Sequence, residues 1–255
     1  MSIAGMNFGS DEKTRGYQER RYRNLLPDQG FISFEVKVKE TDLHIRALRD
    51  LQPLALQSVL RYRYQLEQYI SQKPEFLRSL VPLPADKFSP AIVREMIEAA
   101  ESAGVGPMAA VAGAMAEAVG RDLLPQSPEV IVENGGDIFL RSSQELKVGI
   151  FAHTSPLSFR VGLRIPPTPQ GWGVCTSSGT VGPSLSLGRA DAVCVLSRAA
   201  ALADAAATTV GNLIRSPADV PRGLEKAKSI PGLSGVVIII GDKLGAWGEV
   251  ELIEI

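Results

Sequence analysis

Histidine and cysteine are nearly missing from this chain, with two of each in 255 residues. Structural zinc sites built from Cys and His are thereby excluded by count, and only His44 or His153 can supply an imidazole base. Cys175 and Cys194 can form one bridge at most. Each lies in an apolar, strand-like stretch, GWGVCTSS and ADAVCVLS, which reads as a buried free thiol in a reducing compartment. Long hydrophobic runs are missing too: VVIII at 236 to 240 falls far short of the roughly 20 residues that span a bilayer. The opening MSIAGMNFGSDEK has neither a basic nor an apolar signal region, so the expectation is a cytoplasmic protein with no membrane partner. Charge of one sign is also lacking. Twenty-seven Lys and Arg against 28 Asp and Glu leave a formal charge of -1, which argues against nucleic acid as a partner.

What is present falls into clusters of strands and helices. Residues 1 to 30 read as a basic arm, with Lys13, Arg15, Arg20, Arg21 and Arg23 and no apolar periodicity. Phe34, Val36 and Val38 then alternate with polar residues, as in a hairpin with one solvated face. Leu56, Val59, Leu60, Leu66 and Ile70 predict an amphipathic helix over 51 to 70. Ser89 and Pro90 open a second helix, 90 to 103, which Gly104 closes. PMAAVAGAMAEAV, from 107, has one charge, Glu117, and predicts a buried helix. The strands EVIVE, DIFLR, LKVGIF, FRVGLRI, GWGVC and DAVCVLS follow, then helices over 198 to 214 and near 217 to 228. The strands GVVIII and EVELIEI, joined around Gly245, end the chain. This clustering predicts an α+β fold with largely antiparallel sheets and helices packed on them, over a single domain from 31 to 255. The order also suggests two similar halves dividing near 125, although no sequence repeat accompanies it.

Three features carry candidate chemistry. In RAAALADAAATTVGNLI, Asp204 and Thr208 are four residues apart and share one helix face. The expected core stripe is Ala199, Leu202, Ala206, Val210 and Leu213. The opposite face then holds Ala200, Ala201, Ala207 and Gly211 around one carboxylate and one hydroxyl, so something must approach it closely. From spacing alone the plainer reading is that Thr208 back-bonds to the helix and Asp204 caps a neighbouring loop. The functional reading is a hard cation. Asn134, Gly135, Gly136 and Asp137 form a diglycine turn between strands. Alone it reads as a hairpin turn, and otherwise as a surface without side chains against which a nucleotide lies. Thr176, Ser177, Ser178 and Gly179 follow a strand and read equally as a phosphate cradle or as a flexible loop.

Taken together, VENGGDI, VCTSSG and ALADAAAT resemble the ApbE superfamily of flavin transferases, whose members carry a GGDI turn, a TSG loop and an ADAxAT helix in that order. The resemblance covers about residues 100 to 215 and implies an ApbE-like, T-fold-like architecture. It implies magnesium at Asp204 and Thr208 beside the pyrophosphate of FAD, with Asn134, Gly135, Gly136 and Asp137 and then Thr176, Ser177, Ser178 and Gly179 lining a nucleotide-sized cleft. Two family features are missing. No histidine lies in TVGPSLSLGRADAVCVLSRAA, where the family has a pair, and GVGPMAAVAGAMAEA has neither the Lys nor the Asp of the family's Lys-Gly-x-x-x-Asp segment.

The resulting expectation is a divergent ApbE-like protein that binds or transfers a flavin nucleotide or another phosphorylated ligand with magnesium, as a transferase or a phosphohydrolase. The competing expectation is a non-catalytic scaffold that holds a small anion, with phosphate contacts from the arm, Arg61 and Arg63. Ala-rich helices at a subunit interface would make it a homo-oligomer.

Overall fold

The alternation of Phe34 and Val36 with Ser33, Glu35 and Lys37 builds one edge of the main sheet. The computed structural model describes residues 30–178 and 188–255, so the basic arm before Gly30 lies outside the described residues, as does Gly179. Strands β1 (Ile32–Val38) and β2 (Thr41–Ala47) pair antiparallel, with Ile32 opposite Ala47 and Val38 opposite Thr41. Phe34 and Val36 enter the core and the polar residues between them face out. All seven residues of β2 are buried, Asp42, His44 and Arg46 included, so the solvated face expected for the hairpin belongs to β1 alone.

Helices α1 (Gln52–Gln72), α2 (Glu75–Arg78), α3 (Ala91–Ala103) and α4 (Val111–Leu123) follow. In α1 the buried stripe is Ala55, Val59, Leu66 and Tyr69, while Leu56 and Leu60, expected within it, are largely exposed. Ser89 does not cap α3, because its hydroxyl donates instead to the Asp86 carbonyl at 2.7 Å. Gly104, at φ 82°, ends α3 in the left-handed conformation that glycine adopts most easily. The Ala-rich segment starts as one 3₁₀ turn, Pro107–Ala110, and then runs as α4 with Glu117 buried inside it.

The remaining elements are β3 (Val130–Asn134), β4 (Asp137–Arg141), β5 (Leu146–Gly149), β6 (Val161–Ile165), β7 (Trp172–Ser177), β8 (Ala192–Ser197), α5 (Ala200–Gly211), α6 (Val220–Lys228), β9 (Leu233–Ile240), β10 (Lys243–Gly248) and β11 (Glu251–Glu254). Eight strands form one sheet in the order β1-β2-β3-β4-β7-β8-β9-β10, and β11-β6-β5 form a second. The ladders between described strands are antiparallel, as the clustered pattern predicts. The helices and one face of the main sheet enclose the larger core. On the other face Leu140, Trp172, Val174, Cys194 and Val237 pack on Leu146, Leu163 and Ile165 of the small sheet.

Two expectations change. Residues GVVIII are not joined to EVELIEI around Gly245. β9 turns at Gly241, φ 60°, into β10, where Gly245 pairs with Ile238 in mid-strand, and the last residues cross to the second sheet as β11. Helix α5 is shorter than 198 to 214, because Arg198 leaves the helix to lie over the Trp172 ring, 3.4 Å from its centroid, and donates to the Thr168 hydroxyl at 2.7 Å. Cys175 and Cys194 are buried free thiols. Among the described residues no single helix is long and apolar enough to cross a membrane.

Gly120 of α4 faces Phe139 of β4, and a Cβ there would lie 2.3 Å from the ring. Gly120→Ala should therefore lower stability by about 1–3 kcal/mol in urea titration, since a rigid ring against a sheet cannot yield. An unchanged midpoint would show that this contact relaxes freely.

Candidate functional site

The site begins where α4 and α5 touch. A Cβ on Gly113 would lie 2.3 Å from the Ala200 carbonyl oxygen and 2.9 Å from the Asp204 Cβ, so only glycine allows this approach. Here each helix caps the other. Asp204 Oδ2 accepts hydrogen bonds from the N–H groups of Ala112 (3.1 Å) and Gly113 (2.9 Å), in the first turn of α4. Glu117 Oε2 accepts one from the N–H of Ala200, the first residue of α5, at 2.7 Å, and its Oε1 pairs with Arg121 at 2.5 Å. Backbone donors that a helix start leaves unpaired are thus met by carboxylates, which the helix dipole also favours.

The diglycine turn docks on the same spot. Gly135 (φ 71°) and Gly136 (φ 106°) both have positive φ, as a two-residue hairpin turn requires, and Asn134 pairs with Asp137 across it. The Gly136 N–H donates to Glu133 Oε1 at 2.8 Å. Asn134 Nδ2 donates to the Ala112 carbonyl at 3.1 Å. Ala112 therefore joins the turn to α5, with its carbonyl on Asn134 and its N–H on Asp204. Asp137 opens β4 opposite Cys175 of β7, and Thr176 and Ser177 end that strand. The Thr176 carbonyl would lie 3.8 Å from a Cβ on Gly136, and Ser177 Oγ 3.7 Å from one on Gly211 of α5. Asn134, Gly136, Asp137, Thr176, Ser177 and Asp204 are thereby brought to one end of the sheet. Ser178 directly follows β7 and is half-buried.

The electrostatics of this cluster are unfavourable on its own. Burial and the nearby Asp204 charge push the Asp137 carboxyl well above the usual range, against weaker pulls from the Cys175 thiol and the Thr176 N–H. Burial raises Asp204 to about 7, although the two N–H bonds oppose this. Asp137 Oδ1 is buried with no hydrogen-bond partner. Both hydrogen bonds to Asp204 fall on Oδ2. Among the described residues the Thr208 hydroxyl, one turn further along α5, makes no hydrogen bond. Thr209 makes the back-bond instead, donating to Ala205 at 3.1 Å and Ala103 at 3.0 Å. Two carboxylates and a hydroxyl are hard oxygen donors of the kind that Mg²⁺ accepts, with water and phosphate oxygens for its other positions. No group of three or more His, Cys, Asp or Glu among the described residues is arranged to hold a metal, so any cation here would depend on such outside oxygens.

Other expectations are corrected. The small-residue face of α5 is covered by protein: Ala200, Ala201, Ala207 and Gly211 are buried, whereas Leu202 and Leu213 of the expected core stripe are partly exposed. The helix is wedged between α4 and β7, where a Cβ on Gly173 would lie 2.4 Å from the Ala200 Cα. On the surface of α1, Arg61 pairs with Asp122, and Arg63 with Glu40 and Glu67. His44 sits opposite Glu133 on the sheet face away from Asn134 and Asp137, and His153 lies between β5 and β6 beside Phe151. Glu117 was missed. Gly113 and Glu117 keep the glycine and an acid at the spacing of the family's Lys-Gly-x-x-x-Asp, with Glu for Asp and Ala112 for Lys, and a search for Asp overlooks that pattern.

The architecture is that of the ApbE flavin transferases. The fold matches the flavinyl transferase ApbE of Pseudomonas stutzeri (TM-score 0.56, 15% identity, 85% of this chain and 93% of that one). It also matches a variant of the flavin transferase ApbE of Vibrio cholerae (0.54, 12%, 85% and 96%) and the ApbE protein of Thermotoga maritima (0.53, 10%, 86% and 97%). Residues 23–243 match the family model described as AbpE bacteria. Among relatives, the UPF0280 protein of Methanococcus aeolicus is 40% identical over 225 residues (86% of this chain, 91% of that protein). The UPF0280 protein of Methanocella arvoryzae is 42% identical over 213 (83% and 86%). The chain belongs to this ApbE-like family, among the UPF0280 proteins.

Raised carboxyl values fix the sign of a pH effect. Asp204 moves from an ordinary 3.8 to about 7, so between those values the folded protein holds a proton that the unfolded chain releases. Stability in the presence of EDTA should therefore fall as pH rises from about 4 to 7. Asp204→Asn, which keeps an oxygen for the two N–H groups, should flatten that part of the decline. Urea titrations at pH 5 and pH 8 test this, and equal pH slopes for the two proteins would contradict it.

Proposed function

We propose that this protein binds a divalent cation of the magnesium type at Asp204 and Thr208, and through it the phosphates of a flavin nucleotide or a similar phosphorylated ligand. The observation that carries the reading is the carboxylate pair Asp137 and Asp204, where burial raises both groups, the Asp204 charge raises Asp137 further, and one buried Asp137 oxygen has no hydrogen bond. Such a pair is relieved by a shared proton or by a cation. When bound, the cation would neutralise phosphate charge. The chain's own residues do the rest: Asp204 and Thr208 offer oxygens, Gly135 and Gly136 leave room beside the backbone, and Thr176, Ser177 and Ser178 line the adjoining edge. Similar structures described as flavin transferases support a flavin nucleotide as the ligand, with transfer as the reaction.

One observation favours a second reading, binding without transfer. Alternation along β2 and β3 directs His44 and Glu133 to the opposite sheet face from Asp137, and His153 lies on the small-sheet side. Neither imidazole stands beside Asp204 to take a proton from an acceptor hydroxyl.

The test is native mass spectrometry of protein purified without added cofactor, with and without Mg²⁺, followed by calorimetry with FAD. FAD should bind in the presence of Mg²⁺. Asp204→Asn and Thr208→Val should each weaken that binding by about tenfold or more while thermal unfolding stays cooperative, because a lost ligand costs on the order of 1.4 kcal/mol or more. Binding of equal strength with EDTA, or in both variants, would overturn the cation role. Incubating the FAD-bound protein with a Ser- or Thr-containing acceptor protein and finding no covalent flavin would leave the binding reading standing and remove transfer.

A further inference from the structure

We infer that Glu117 is a positioning residue for the Asp204 carboxylate, an inference that rests on the reading of Asp204 as a ligand. Glu117 is 2% exposed and lies on α4, yet it touches the start of α5, one turn before Asp204. Its two oxygens have separate duties. Oε2 holds the Ala200 N–H at 2.7 Å, and Oε1 is held by Arg121, which also reaches Glu95 of α3 at 2.8 Å. The Ala200 carbonyl in turn accepts from the Cys175 thiol at 3.3 Å. The first residue of α5 is thus pinned from α4 on one side and from β7 on the other.

Burying a carboxylate is costly, and a well-packed apolar side chain of similar volume would fill the same space. Burial does disfavour the charged form of Glu117, and Arg121 and the Ala200 N–H only partly offset this. What an apolar residue cannot do is accept the N–H of Ala200. Without that acceptor a buried donor is left unpaired at the closest point of the crossing, where Gly113 leaves no slack. The start of α5 then shifts, and Asp204, carried on the next turn, no longer meets the Ala112 and Gly113 N–H groups squarely. Oδ2 is fixed by α4 backbone and the helix carrying it is fixed by an α4 side chain, so the direction of Oδ1 depends on both. Residues that act at one remove in this way change cation affinity by roughly 10–100-fold when replaced.

The experiment is residue-resolved amide exchange together with Mn²⁺ titration. In Glu117→Ala the Ala112 and Gly113 amides should exchange about tenfold faster relative to Val119 and Leu123 of the same helix, and Mn²⁺ affinity should fall by a similar factor. Glu117→Gln keeps an oxygen for the Ala200 N–H and should restore both. A merely structural role predicts that exchange rises evenly along α4, or that Gln fails to rescue, and either result overturns the inference. Should Glu117→Ala not fold, Arg121→Gln loosens Glu117 from the exposed end of the pair. A smaller acceleration of the same sign at Gly113 is expected, and none would overturn the inference. The exchange measurement needs no cation. Failure of Mn²⁺ to bind the wild-type protein would therefore count against the proposed cation site, while the amides still decide the role of Glu117.

Discussion

The exchange of carboxylates between α4 and α5 is the constraint on which the rest of this structure turns. Two helices that cross at a glycine bring their first turns close together, and each start exposes backbone N–H groups that burial makes expensive to leave unpaired. Asp204 and Glu117 meet that demand in opposite directions. The arrangement resembles a capping box in its reciprocity, but it operates between two helices rather than within one, so helix termination and tertiary packing are a single event. Gly113, Gly173 and the alanines of α5 follow from it, since any larger residue would hold the backbones apart.

This geometry has an electrostatic cost. Asp204 can cap α4 only by being held close to Asp137, and Asp137 is fixed opposite Cys175 by strand register. The fold thus concentrates carboxyl groups at the end of its main sheet, beside a turn made of two glycines. Positions that violate the ordinary rules for buried charge are where a fold gives up stability for chemistry. The ApbE-like architecture, found in structures only 10–15% identical, accommodates that local cost within one antiparallel sheet covered on both faces.

Much of this was legible in the sequence because the relevant physics is local. The alternation of β1, the left-handed stop at Gly104 and the diglycine between two strands each depend on a few adjacent residues. Less visible was anything set by long-range pairing. Periodicity cannot show that LKVGIF and FRVGLRI leave the main sheet, or that Glu251–Glu254 join them. For α5, a helical wheel assumes one buried side and so turns Leu202 and Leu213 inward and Ala200 outward, whereas α4 and β7 bury the helix from two sides. By sequence Glu117 is simply the one charge in a buried helix. Its partner, Ala200, lies 83 residues away, and a backbone N–H has no sequence signature.

The protein-covered, alanine-lined surface of α5 also bears on how this architecture diversifies. A helix packed this tightly on two sides can hardly change, so it serves as a fixed datum against which the strand ends and the diglycine turn are set. New ligand preferences would then arise in the loops at the sheet's end, where side chains can be exchanged without moving the crossing. A substitution at the sheet's end can in this way alter what is held there while the crossing at Gly113 keeps its geometry, and the most constrained part of the molecule becomes the support for its most adaptable one.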